Sequence, residues 1–349
     1  AVTGFDDSGS YVDAAQVAET MKWDDVVGLG EMMNFPGILG GEENAQHEVG
    51  ETLKAGKCVT GHYSISETDR GLNAYIASGV RACHECITSD DVMAKLRMGM
   101  YVQARYGSAW LSLPNYLPQV LESGVDTRLI ILCTDDNHPN TLVSEGDMDR
   151  ALRAVLECGC DPVTALQFAT INAAQCLGVD QDMGSITPGK CADMVVLPNL
   201  ETFIPEQVYI DGDLVAQDGK ATFDHDLFEW PEFMTHTMNV GRTFTAADFE
   251  IPVDRPDGMC RVRAIGGVGG STITEDAVIE VPVVDGKLQA NPAIDALKMA
   301  VFDRHHGAEG THSFGFCTGF GVHGALAQTV AHDSHNLLVV GDNDEDMAL

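Results

Sequence analysis

A chain of 349 residues is long enough for one large barrel or about two to three smaller domains, so core burial does not limit it. Its 44% hydrophobic content and mean hydropathy of −0.03 are an ordinary balance for a soluble globular protein. The 20 basic residues against 53 acidic ones leave a net charge of −33, a field that repels nucleic acid and anionic membranes and argues against both as partners. The longest apolar runs, such as LIILC at 129–133, are too short to cross a bilayer. The opening AVTGFDD has no initiator Met and no basic region followed by an apolar stretch, so no secretory signal is visible and a cytoplasmic location is expected. Ten cysteines are scattered and read as reduced core residues. Cys83 and Cys86 have CxxC spacing, but no second CxxC completes a structural zinc site.

Short β-branched runs alternate with helical patterns up to residue 180. Strands are predicted at 26–33, 57–63, 80–86, 100–106 and 128–135. Helices fall between them, at 67–78, where Leu72, Tyr75 and Ile76 recur at helical spacing, and at 89–98, opening on Ser89 as a cap. A third helix is predicted at 161–177, with Asp161 at the N-cap, Pro162 at the first position and Gly178 just past the end. Its Leu166, Ala169, Ala173 and Leu177 form one apolar stripe. Strand followed by helix, repeated about every 20–30 residues, implies parallel βα units. A doubly wound sheet and a (β/α)8 barrel share this pattern. Polar residues at the ends of four different strands favour the barrel.

The texture changes after residue 180. GSITPGKCADMVVL at 184–197 reads as strand, turn, strand, and 208–211 with 213–216 flank Gly212 as a hairpin, together a small β layer. Residues 218–240 read as a loop-rich linker. A third region begins at 241, with a strand at 278–284, a helix at 292–302 and Gly-rich turns. The expected organisation is a partial α/β barrel over 1–180, a small β-sandwich segment and linker over 181–240, and a C-terminal α+β domain over 241–349.

The strand ends carry the chemistry. In order they offer Glu31, His62, His84 with Glu85, and Asp135 with Asp136. Each is a costly polar group where an apolar strand emerges, and such a group must be paired or bound to metal. A strand-end His taken alone is more often a hydrogen-bonded structural residue, and a strand-end Asp more often caps the next helix. The coincidence of all four at one phase of successive βα units shifts the balance. Two imidazoles with two or three carboxylates suit Zn²⁺, Mn²⁺ or Fe²⁺.

Several segments carry a resemblance: GLGEMMNFPGI at 28–38, GHYS at 61–64, LNAY at 72–75, CHEC at 83–86, RYGS at 105–108 and CTDD at 133–136. ATINAA at 169–174, GSITPGKCAD at 184–193, RHHG at 304–307, AHDSHN at 331–336 and DEDM at 344–347 continue it. In their order and spacing these resemble the adenine deaminase family of the amidohydrolase superfamily. The resemblance implies a metal-dependent hydrolase barrel that converts adenine and water to hypoxanthine and ammonia, in adenine salvage or catabolism. It implies a binuclear divalent centre, Mn²⁺ first and Fe²⁺ or Zn²⁺ as alternatives, with a homodimer as candidate assembly. Glu31 would bridge the two ions, and His62 and His84 would ligate the second. Asp135 would bind the first and take a proton from the attacking water. Glu85 would shuttle a proton toward the purine or the leaving ammonia. Arg105, Ser108, His332 and His335 would bind substrate, with a structural role the equal alternative for the two histidines.

Departures accompany the match. The superfamily carries His-x-His on its first strand, and no two of the twelve histidines here stand at i and i+2. The match begins just before the strand of Glu31 and ends where the family continues, so a fragment lacking both ends is expected. By itself it should not deaminate adenine, because one ion would keep only Glu31 and Asp135, and 26–30 and 128–133 would be exposed apolar edges. Cys83 stands where the family often has Asp, and Tyr106 where it has Glu. The alternatives are another amidohydrolase, acting on a cyclic amide or another nucleobase, and an inactive fragment or binding scaffold. The relatives that open cyclic amides place a bridging Lys where this chain has Glu31. The zinc deaminases that use Pro-Cys-x-x-Cys find no such motif here.

Overall fold

The structure is a computed structural model that describes residues 7–224, 228–269 and 273–349. The opening residues 1–6, on which the expectation about a secretory signal falls, lie outside them. The chain divides into two units, one of residues 12–224 and one of 228–349 together with 7–11. Among the described residues no helix is long and apolar enough to cross a membrane.

In the first unit the five predicted strands form, each shorter than its apolar run: β1 (Gly28–Met32), β2 (Cys58–Gly61), β3 (Ala82–Cys83), β4 (Tyr101–Arg105) and β5 (Ile130–Cys133). They pair in parallel in strict chain order, with no reversal point of the kind a doubly wound sheet requires. Helix α1 (Ala14–Thr20) precedes β1, and between the strands run α2 (Phe35–Gly40), α3 (Glu43–Lys54), α4 (Arg70–Ala77), α5 (Ser89–Arg97) and α6 (Leu113–Glu122). After β5 come α7 (Pro139–Ser144), α8 (Met148–Glu157), α9 (Pro162–Ala169) and α10 (Ile171–Leu177). The cap of α5 is Thr88, one residue before Ser89, with its hydroxyl accepting the Asp91 N–H. Two apolar clusters fill the helix side of the sheet, one around Val102, Leu117, Ile130 and Phe168, the other around Val59, Leu72, Tyr75 and Val80.

The helix expected over 161–177 is two helices broken at Thr170, whose φ of −127° and ψ of −95° are not helical. The break turns the second half, so the inward residues are Ala165, Phe168, Asn172, Ala174 and Cys176, while Leu177 of the expected stripe is exposed. Asn172 uses this orientation at the sheet edge, donating from Nδ2 to the carbonyl of Ile130 at 2.9 Å. The exposed apolar edge expected at 128–133 is therefore not found on β5. Ile130, Ile131 and Leu132 are at most 5% exposed, because α8, α9 and α10 pack on the strand.

Residues 194–221 form a single antiparallel sheet, β6 (Met194–Val196), β7 (Gln207–Ile210), β8 (Asp213–Gln217) and β9 (Lys220–Ala221). Gly212 makes the β7–β8 hairpin possible with φ +87°. The first strand expected at 184–197 is a turn, and no second sheet layer is present among the described residues of this segment.

The second unit is an eight-stranded mixed sheet in the order β10-β13-β12-β11-β15-β14-β17-β16. Its strands are β10 (Ile251–Pro252), β11 (Gly258–Gly267), β12 (Thr274–Val284), β13 (Lys287–Leu288), β14 (Leu297–Phe302), β15 (His312–Thr318), β16 (Ala325–Gln328) and β17 (Leu337–Gly341). Two short helices accompany it, α11 (Glu232–Thr235) and α12 (Asp344–Ala348). The helix expected at 292–302 is absent, and the unit is mainly β where an α+β domain was expected. Asp295 takes φ +53°, ending a short turn, and its carboxylate accepts the N–H groups of Gly319, Phe320 and Gly321. Leu297–Phe302 then runs between β15 and β17 and is hydrogen-bonded on both sides.

Candidate metal centre

Glu31, His62 and His84 leave the ends of β1, β2 and β3, and parallel pairing in order brings those ends side by side. The Nε2 of His84 lies 3.0 Å from Glu31 Oε2, and the Nδ1 of His62 lies 3.7 Å from Glu31 Oε1. The two imidazoles face each other, with His62 Nδ1 and His84 Nε2 3.3 Å apart. Glu85 Oε1 sits 3.3 Å from His84 Nε2 and 3.6 Å from His62 Nδ1. Asp135, at the end of β5, reaches the cluster at 3.9 Å from His84 Nε2. The ligand atoms fall into two groups, Glu31–His62–His84 and His84–Glu85–Asp135, each compact enough for one ion.

Local chemistry fixes these ends. Tyr75 on α4 donates its hydroxyl to the carbonyl of Met32 at 2.5 Å and accepts the N–H of His62 at 3.0 Å, tying the loop after Glu31 to the residue that carries an imidazole. Gly61 is required there, since a Cβ would collide with the Tyr75 hydroxyl and with Val80. Asp135 adopts φ +60°, a left-handed conformation that Asp tolerates because its side chain can bond locally. Its Oδ1 accepts the N–H of Asp136 at 2.8 Å. Gly107 lets the loop after β4 lie on the loop after β5, where a Cβ would strike the carbonyls of Thr134 and Asp136.

Arg105, at the end of β4, is 3% exposed and lies between the two neighbouring strand ends. Its Nη1 donates to Glu85 Oε1 at 2.7 Å and to Asp135 Oδ2 at 2.6 Å, and its guanidinium stacks 4.7 Å over the Trp110 ring. Ser108 accepts the His138 N–H at 2.7 Å and lies 2.8 Å from Thr141 Oγ1, so it anchors the loop that follows Asp135. Tyr106 carries the Arg150 guanidinium 4.6 Å over its ring, and Arg150 donates to the Gly107 carbonyl at 2.7 Å. His332 and His335 lie in the second unit, their rings 4.9 Å apart.

Beneath the loops of His62 and His84 lies Lys95 of α5, fully buried and paired with Asp91 at 2.7 Å. Its ammonium also donates to the carbonyl of Tyr63 at 3.5 Å. Cys83 Sγ accepts the Tyr63 N–H at 3.2 Å, and Cys83 and Cys86 are buried free thiols. Sequence reasoning did not find the Lys95–Asp91 pair; its signal was an acid and a base at i and i+4 in a helix following the CHEC segment.

Burial works to raise the Glu31 carboxyl, but hydrogen bonds from His62 and His84 outweigh it and hold the group at about 2. Burial likewise works to lower both imidazoles, and Glu31 and Glu85 outweigh it, so His62 and His84 both titrate above their ordinary value. Protons then compete with a metal for these nitrogens. Both imidazoles are protonated below their raised values and free above them, so metal affinity is expected to fall as pH is lowered, with the loss beginning above 6.5. Calorimetric Mn²⁺ titrations between about pH 6 and 8 check this, and an affinity flat across that window would remove the imidazoles from the ligand set.

The chemistry of the first group fits a divalent ion: two imidazoles and a charged carboxylate converge, with no cation among them. The second group does not fit as it stands, because the Arg105 Nη1 is already hydrogen-bonded to both of its carboxylates.

Residues 115–215 match the amidohydrolase family model, and 271–349 match the adenine deaminase C-terminal domain. The whole chain aligns with an adenine deaminase of Clostridium botulinum (strain 657 / Type Ba4) at 49% identity, covering 58% of that protein. It aligns with one of Moorella thermoacetica at 40%, again over the whole chain and 59% of the relative. It aligns with one of Paracoccus denitrificans at 40%, over 99% of this chain and 57% of the relative. The chain thus spans little more than half the length of these curated relatives. An amidohydrolase structure from Thermotoga maritima is 19% identical over 58% of this chain and 53% of that one, with a TM-score of 0.38, a likeness too distant to bear on the fold. Identity runs along the whole chain, with the amidohydrolase model matched over 115–215 and the adenine deaminase C-terminal domain over 271–349, so this chain is similar throughout its length to adenine deaminases of the amidohydrolase family.

Proposed function

We propose that the longer protein of which this chain is a part hydrolyses adenine to hypoxanthine and ammonia at the centre built on Glu31, His62 and His84, while this chain by itself does not. The observation that carries this reading is the convergence of those three ligand groups with Glu85 and Asp135, in a chain similar throughout to adenine deaminases. A divalent ion bound by Glu31, His62 and His84 would supply Lewis acidity that brings the ionisation of water near neutral pH. Mn²⁺ is our first choice, with Fe²⁺ and Zn²⁺ as alternatives. Asp135 accepts a proton as water oxygen bonds to C6 of the purine. Glu85, beside both imidazoles, delivers a proton toward the ring or the departing nitrogen. The C6–N bond breaks and ammonia leaves, so adenine plus water balance hypoxanthine plus ammonia. Arg105 and Ser108 act on substrate through what they hold, Arg105 orienting Glu85 and Asp135, and Ser108 the loop beyond. The substrate role of His332 and His335 rests on the resemblance alone.

The strand order without a reversal supports a partial (β/α)8 barrel. We divide the chain into barrel (1–180), small β segment and linker (181–240) and C-terminal domain (241–349). A cytoplasmic homodimer working in adenine salvage or catabolism is part of the same proposal.

The test is hypoxanthine formation by the Mn²⁺-loaded gene product and its Asp135→Asn variant. The variant should lose roughly 10²–10⁴-fold in kcat. A variant that keeps its kcat, or a wild type that opens a cyclic amide and leaves adenine untouched, would sink the reading.

A further inference from the structure

We propose that Arg105 is the resident cation of the His84–Glu85–Asp135 group, so that this chain holds one divalent ion where the resemblance implies two. The inference rests on the metal-centre reading above and concerns only how many ions that centre takes.

Position comes first. Arg105 ends β4, between β3, which carries Glu85, and β5, which leads to Asp135. Its Nη1 lies 2.7 Å from Glu85 Oε1 and 2.6 Å from Asp135 Oδ2, so one nitrogen binds the two oxygens that a second ion would need. The other Asp135 oxygen is engaged by the Asp136 N–H. Burial and the Trp110 ring hold the guanidinium in place. The Arg105 Nε is buried without a hydrogen-bond partner, so the cation is answered on the other side of the fork by these carboxylates. Displacing it would leave a buried guanidinium unpaired, which is strongly unfavourable.

Charge gives the same count. The centre contains three carboxylates, Glu31, Glu85 and Asp135, and one guanidinium. One divalent ion brings the sum to zero with both imidazoles neutral. A second ion would leave two uncompensated positive charges beside a guanidinium that is itself buried, a state that such surroundings disfavour. Without the guanidinium, one ion leaves a net negative charge and open carboxylate oxygens, and a second ion becomes acceptable.

The experiment is metal stoichiometry by equilibrium dialysis with elemental analysis, using Mn²⁺ alone as the probe, on wild type, Arg105→Gln and Arg105→Lys. Wild type and Arg105→Lys are expected to bind one ion per chain, and Arg105→Gln two, the second about tenfold to a hundredfold more weakly than the first. Circular dichroism of each variant shows whether it folds. Two ions on the wild type overturns the proposal whether or not Arg105→Gln folds. One ion on a folded Arg105→Gln, at wild-type affinity, overturns it as well. No ion on any form would instead bring down the metal-centre reading itself.

Discussion

Replacing Glu31 by Gln is expected to weaken Mn²⁺ binding by about 10²–10³-fold, or roughly 3–4 kcal/mol, while the protein stays folded. Glu31 is the single carboxylate of the group that fits an ion, and it faces both imidazoles. Its pKa of about 2 keeps it charged at every working pH. Gln offers one acceptor oxygen and no charge, so it removes Coulombic attraction and one possible ligand atom together. A second consequence follows for the histidines. Their pKa values are raised chiefly by Glu31, so in Glu31→Gln both should titrate lower, and the pH dependence of residual binding should move with them. The measurements are calorimetric Mn²⁺ titration and NMR titration of the imidazoles. If affinity holds and the imidazoles do not move, Glu31 is a paired structural carboxylate and the centre lies elsewhere.

Removing the partner of Lys95 is expected to cost about 3–5 kcal/mol of stability, because Asp91→Ala leaves an uncompensated ammonium in the core. Lys95 is fully buried, with Asp91 Oδ1 and Oδ2 at 2.7 and 2.9 Å. Burial alone would lower its pKa, but Cys86, Cys83 and Asp91 outweigh it and keep it charged. For a unit of this size the loss corresponds to a melting temperature lower by roughly 6–20 °C. The double variant Asp91→Leu with Lys95→Met should recover most of that loss, since a buried ion pair contributes little over an apolar pair of similar volume. It should not recover metal affinity in full, because the ammonium also holds the Tyr63 carbonyl next to His62. Thermal melts and Mn²⁺ titrations of the three forms distinguish stability from positioning. A melting temperature for Asp91→Ala within about 2 °C of wild type would show that the pair is not a buried dependency.

The strand ends were legible because each is a contradiction in the sequence: an apolar run stops at Glu31, His62, His84 or Asp135, and a polar group there needs a partner. Arg105 was legible as a site residue, but its partners were not. Nothing in RYGS says that the guanidinium binds Glu85, 20 residues earlier, and Asp135, 30 residues later. Tyr75 was read as one of three apolar positions on a helix, and its hydroxyl bridge between the ends of β1 and β2 follows only from how α4 packs.

Sequence alone determined which segments run as strands through residue 135, the parallel alternation with helices, and the Asp161 and Gly178 caps, because local propensity and periodicity act within a few residues. It also determined the identity of the metal-ligand candidates. Tertiary structure decided three things that local pattern cannot. The helix over 161–177 breaks at Thr170 because Asn172 and Cys176 face inward while Leu177 is left outside. Leu297–Phe302 is a strand because β15 and β17 satisfy its backbone on both sides, which a helix signal of similar length cannot anticipate. The second group of carboxylates is already bound by an arginine, because three strands far apart in sequence end within hydrogen-bond reach of one another. Hydrogen bonds and charge pairs depend on distance in space, and only the packed chain sets that distance.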